Sequence, residues 1–115
     1  MSSTPRFLQG VHPFVGAGLE KPVALEGLGS YTVPDGARAQ AVYFRAGNST
    51  DELITAVLLR DGVPTRWFPI GARSAVHVPL RIVEDIEAPG VLEVRVAAPE
   101  GVSGSLVVDL GLVEV

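Results

Sequence analysis

Apolar and polar residues alternate with a period of two along much of this chain, in stretches too short for helices. In RAQAVYFRA, 38–46, Val42 and Phe44 share one side while Ala41, Tyr43 and Arg45 share the other. Residues 74–80 repeat the pattern, with Val76, Val78 and Leu80 facing inward and Pro79 opposite, where a proline marks an edge or a strand end. ELITAVLLR, 52–60, is apolar on both faces. Its length, partial β-branching and closing Asp61-Gly62 favour a strand that returns as a hairpin through 63–68. Shorter strands are predicted at 23–28 and 30–33. Residues 47–51, GNSTD, form a turn from side chains that bond their own backbone or tolerate positive φ.

Pairing Arg95 with Asp109 predicts a closing hairpin. That register puts Leu92, Val94 and Val96 on the same face as Leu106, Val108, Leu110 and Leu112, with the two charges opposed outside. Residues 81–89, RIVEDIEAP, are a connection with room for one helical turn. Residues 1–22 are expected to be an irregular N-terminal arm, because Pro5, Pro13 and Pro22 interrupt them and HPFVGAG has no period. The domain proper is then 23–115. Seven to nine short strands with regular turn signals predict an all-β fold, an antiparallel β-sandwich or jelly roll.

Composition narrows the function classes. The 115 residues suit one domain, and 47% apolar content supplies a core. Thirteen Gly and nine Pro are scattered between apolar runs, as strand punctuation. A net charge of −4 without a basic stripe argues against nucleic acid. Eight of the nine cations are Arg, a residue suited to bidentate contacts at protein interfaces and equally to solvated strand faces. With no cysteine there is neither a disulfide nor thiolate chemistry. No secretion signal is visible and no apolar run approaches the ~20 residues of a membrane span, so the expected location is the cytoplasm or an assembled particle.

Candidate chemistry is sparse. His12 and His77 share no ligand spacing, and Gly101-Val102-Ser103-Gly104 resembles a nucleophile elbow only superficially, since it joins two strands. Glu84, Asp85 and Glu87 lack the alternation of a calcium loop. Asn48-Ser49-Thr50 matches the glycosylation sequon but reads as turn chemistry. Arg66-Trp67 could form an interface anchor, or with Tyr43 a sugar-stacking platform; a buried Trp67 beside Tyr43 and Phe44 is the plainer expectation. No catalytic, cofactor-binding or metal-ligating residue is assigned, and no cofactor is expected.

Pro-x-Gly-Ala-Arg occurs twice, at 34–38 and 69–73. The segments after the two copies differ, so the repeat reads as a strand-start device. In it Pro presets φ, Gly supplies a positive φ, and the Arg ends a rim that Arg38 and Arg73 would share.

The order of elements resembles small β-sandwich modules found on phage virions. The likeness is carried by YTVPDG at 31–36, the turn at Asn48-Ser49, PIGARS at 69–74, GVLEVRVA at 90–97 and GLVE at 111–114. It covers residues 31–115, and the arm and the acidic VEDIE connection depart from it. The resemblance implies a non-enzymatic structural or attachment role in an oligomer. The leading expectation is therefore a structural or interaction module with protein partners, first of all copies of itself. A carbohydrate-binding sandwich and an accessory subunit of a cellular enzyme complex are the alternatives. The candidate interface residues are Phe7, Phe14, Arg38, Arg66, Trp67, Arg73, Val113 and Val115; Val107 adds further apolar surface needing cover.

Overall fold

A computed structural model describes residues 3–115, so the first two residues of the expected arm lie outside it. The described residues contain no helix and form ten strands. In chain order these are β1 (Thr4–Val15), β2 (Gly18–Ala24), β3 (Ser30–Thr32), β4 (Arg38–Asn48), β5 (Ile54–Arg60), β6 (Val63–Ile70), β7 (Ala75–Pro79), β8 (Ile86–Glu87), β9 (Val91–Ala98) and β10 (Ser103–Glu114). Sheet A has the order β1-β10-β4-β7 with β8 beside β4; sheet B has the order β2-β9-β5-β6 with β3 beside β9. All pairings are antiparallel.

The connectivity follows one rule. Setting aside the short β3 and β8, the first strand pairs with the last, the second with the one before it, and so inward to the β5–β6 hairpin. This is one long hairpin rolled into two sheets, the jelly-roll arrangement. Asp61 and Gly62 both have positive φ, 53° and 80°, at its tip, as the Asp-Gly pair predicts. Asp61 also receives the Val91 N–H on its carboxylate, tying the hairpin tip to the start of β9.

Several expectations are corrected here. The segment before Pro22 is not an irregular arm. Residues 4–15 form the twelve-residue β1, in register with β10 from Thr4↔Glu114 to Val15↔Ser103. Its prolines mislead because β1 is an edge strand, where a missing N–H costs no ladder bond. The Arg95–Asp109 hairpin also fails, since β9 lies in sheet B and β10 in sheet A. Arg95 is opposite Val57 and holds Glu93, while Asp109 is opposite Arg45 and Gln9. The inward faces are nevertheless those that the alternation predicts: Leu92, Val94, Val96, Leu106, Val108, Leu110 and Leu112 are all buried. Side-chain alternation reports which face is buried and is silent on which strand lies alongside. The connection at 81–89 contains no helical turn, only the two-residue β8.

Between the sheets the Phe44 and Phe68 rings stack at 4.3 Å and 17°. Phe68, and not Trp67, therefore fills the space beside Phe44; Trp67 is 60% exposed on the outer side of sheet B. Near one end of the roll, Asn48 is buried and every polar atom of its amide is used. Its Nδ2 donates to the Glu52, Ile70 and Gly71 carbonyls, and its Oδ1 accepts from the Thr50 N–H and hydroxyl. The sequon asparagine is thus a peg joining the ends of β4 and β6 to the start of β5. At the other end, the Tyr31 hydroxyl of sheet B donates to Glu114 of sheet A, which Arg6 also contacts at 3.2 Å.

Substituting Asn48 by Asp would aim a carboxylate at three carbonyl oxygens. Asn48→Ala removes five hydrogen bonds and is expected to lower the unfolding free energy by about 2–4 kcal/mol, with Asn48→Asp costing more, as measured by chemical denaturation. The Tyr31–Glu114 contact predicts two pH limbs. Burial and then the bond to Glu114 raise the Tyr31 pKa above its ordinary 10.0, so this contribution is complete below pH 10 and declines as pH rises beyond it. The bond from Tyr31, and then Arg6, depress Glu114 below 4.5, so its contribution is complete above that pH and declines on acidification. Melting temperature measured against pH should fall less steeply on the alkaline side in Tyr31→Phe, where Tyr43 still contributes, and flatten at low pH in Glu114→Gln.

Candidate interaction surface

The outer face of sheet A is built from rows that the strand registers fix. Around its middle, Gln9, Asp109, Arg45 and His77 lie side by side across β1, β10, β4 and β7. One row along lie Val11, Val107, Gly47 and Ala75; on the other side lie Phe7, Gly111, Tyr43 and Pro79. A polar row thus runs between two apolar ones. Val11 is 65% exposed, Phe7 51% and Val107 49%, so the apolar rows face water without cover from their own chain. A shallow depression of about 660 Å³ lies over Arg45, Gly47, Ala75, His77, Val107 and Asp109.

The polar row is internally organised. Arg45 Nη2 donates to Asp109 Oδ2 at 2.5 Å, and the Tyr43 hydroxyl donates to Oδ1 of the same carboxylate at 2.8 Å. The Arg45 guanidinium stands 5.2 Å from the Tyr43 ring centroid, and His77 meets that ring edge-on at 6.2 Å. Burial and the bond to Asp109 raise the Tyr43 pKa, so the phenol stays protonated and remains a donor. Gly111 makes room for this arrangement, because a Cβ there would run into the Tyr43 ring. The same carboxylate keeps Arg45 strongly cationic.

Of the residues singled out from sequence, Phe7 and Val113 lie on this face. Val113 is half-buried opposite Pro5 and Gln40, and Val115 follows at the end of the strand, its backbone bonded to Arg38. Phe14 does not belong with them; its side chain alternates inward and is 5% exposed in the core. Arg38 and Arg73 do not share a rim. Arg38 opens β4, while Arg73 precedes β7, which pairs with the far end of β4 at Gly47. Roughly 30 Å of strand separates them. Arg38 binds Asp85 at 3.3 Å and Arg73 binds Asp51. The two copies of Pro-x-Gly-Ala-Arg also differ in conformation: Gly36 has φ 80°, whereas in the second copy Arg73 itself takes the positive φ, 52°.

Arg66 lies at the open side between β6 and β7, where it and Arg60 hold Glu84 at 3.0 and 3.8 Å. Asp85 is taken by Arg38 and Gln40. The acidic connection is therefore bound by arginines and does not converge as an oxygen cage. A groove of about 440 Å³ beside it is lined by Trp67, Phe68, Val78, Pro79 and Ile82. Trp67 and Tyr43 stand on the outer sides of different sheets, so the paired aromatic platform does not form. His12 points inward from β1, its Nδ1 bonded to the Glu26 carbonyl, while His77 faces outward from β7. The prolines of β1 hide this surface from a sequence reading. Its outward positions, Phe7, Gln9 and Val11, complete rows whose other members alternate visibly along β4, β7 and β10.

Gly111→Ala is expected to displace the Tyr43 ring and cost about 1–3 kcal/mol by overpacking. In a Tyr43→Ala background the same change should cost much less. A double-mutant cycle by denaturation measures the coupling, and equal costs in both backgrounds would contradict the packing described.

Comparison of the chain with protein-family models and with curated proteins finds no match.

Proposed function

We propose that this chain is a non-enzymatic structural module that works as a homo-oligomer, of the virion-associated accessory or attachment kind that its strand order resembles. The observation that carries the reading is the outer face of sheet A, with its two uncovered apolar rows containing Phe7, Val11 and Val107. Exposed apolar area arranged contiguously on a flat sheet face is characteristic of surfaces that meet another protein. Jelly rolls serve in capsids, lectins and cupin enzymes alike, so the fold is compatible with the role without selecting it.

Sedimentation velocity across the micromolar range tests the reading. An oligomer, fixed or concentration-dependent, is the expected result; a monomer at every concentration overturns it. Gene neighbourhood separates the particle role from the alternative of an enzyme accessory subunit: capsid and tail genes beside it favour the first, metabolic genes the second.

A further inference from the structure

The prolines restrict how copies of this chain can meet. The edge strands of the two sheet paths are β1 and β7 in sheet A and β2 and β6 in sheet B. Each carries at least one proline: Pro5 and Pro13 in β1, Pro22 in β2, Pro64 and Pro69 in β6, and Pro79 in β7. The four central strands, β4, β5, β9 and β10, carry none. Six of the nine prolines therefore sit where a further strand would have to add, and each removes an N–H that such a strand would need. Association by strand addition is disfavoured along these four edges, and the proline-free β3 and β8 beside them are only three and two residues long, which points to the faces.

The two faces differ. On sheet B the central outward residues Val57 and Leu59 are already 1% and 2% exposed, covered within the chain. The exposed apolar side chains of sheet B, Trp67, Val63 and Leu19, lie on its edge strands β6 and β2, whereas the apolar rows of sheet A reach its central strand β10 at Val107. We infer that a second copy of this chain packs face to face on sheet A, about a two-fold axis running along the strands between β10 and β4. This rests on the oligomer reading above and specifies its surface.

Charge selects that axis. Rotation about it lays β10 of one copy over β4 of the other within the same row, so Arg45 faces Asp109 of the second copy and the reverse. The two internal ion pairs then join into a four-membered network of alternating sign. An axis along the rows would instead set Arg45 on Arg45 and Asp109 on Asp109, which is repulsive. Shape agrees with the same choice. Val107 comes over Gly47 of the second copy, Val11 over its Ala75 and Phe7 over its Pro79, so larger side chains meet smaller or flat ones. Gln9 comes within reach of His77. The two Tyr43 rings, each lying over its own Gly111, meet near the axis.

The area is adequate as well. Six rows about 6.7 Å apart, on two to four strands about 4.8 Å apart, give roughly 600–700 Å². That approaches the ~800 Å² per partner of a standard specific interface.

The chain has no cysteine, which allows a direct test in the full-length protein. Val11 and Ala75 lie three strands apart in one chain, about 14 Å, beyond the ~7 Å that a disulfide spans. In the inferred dimer each faces the other across the interface. Face-to-face sheets stand about 10 Å apart, so the double variant Val11→Cys/Ala75→Cys, treated with a thiol cross-linker spanning about 5 Å, should form a covalent dimer, whereas a product that stays monomeric would count against the register. Val107→Arg, an exposed change outside the core, should keep the wild-type melting curve at concentrations where both chains are monomeric while weakening self-association roughly 30-fold or more, as for a central interface residue. An oligomer that persists unchanged in Val107→Arg overturns this surface while leaving the oligomer reading intact. A wild-type monomer would remove both.

Discussion

The stack of Phe44 on Phe68 is the contact through which the two sheets become one core. It joins β4, central in sheet A, to β6, an edge of sheet B, at 4.3 Å between ring centroids. Each sheet alone would expose an apolar face, and neither has an independent reason to hold its strands in order. Once the faces meet, Leu110, Leu92, Val94, Val96 and Ile70 belong with the two rings to one buried cluster and have almost no exposure. The chain passes back and forth between the sheets, from β1 in sheet A to β2 in sheet B, β4 in A and β5 in B, and after the β5–β6 hairpin it does so again through β7, β9 and β10.

Polar groups then close the ends that burial leaves open. Asn48 satisfies carbonyls from three segments at one end, and Tyr31 with Glu114 and Arg6 bridges the sheets at the other. Along the open side, Glu84 draws Arg60 and Arg66 across the gap between β6 and the connection after β7. These ion pairs are largely solvent-exposed, so they position the connection more than they stabilise it. The buried amide of Asn48 matters more, since leaving any of its partners unsatisfied carries a desolvation cost.

Prolines in the edge strands, with none in β4, β5, β9 or β10, disfavour edge-to-edge sheet extension, while the outer face of sheet A stays exposed. On that face Arg45, Asp109 and Tyr43 supply orientation and the flanking apolar rows supply area, a distribution suited to a defined partner geometry over general stickiness.

Much of the fold is legible along the chain. The all-β class, the inward sets of β9 and β10, and the Asp61-Gly62 hairpin all follow from local periodicity and turn chemistry, whereas in β4 a bulge at Val42 puts Ala41 in the core with Phe44, against the expected alternation. Three features are not legible, each for its own physical reason. Strand β1 is hidden because proline penalises a strand only where its N–H is needed, and edge status is a tertiary fact. The partner of Asp109 is ambiguous because Arg95 and Arg45 satisfy the same outward alternation, and only sheet membership separates them. Trp67 and Phe68 are adjacent aromatics, and which of them turns inward is settled by which ring can stack on Phe44. Local pattern alone dictates which residues must leave water. Which strands lie side by side is decided by the tertiary structure, because burial is a property of each face whereas pairing depends on how the whole roll closes.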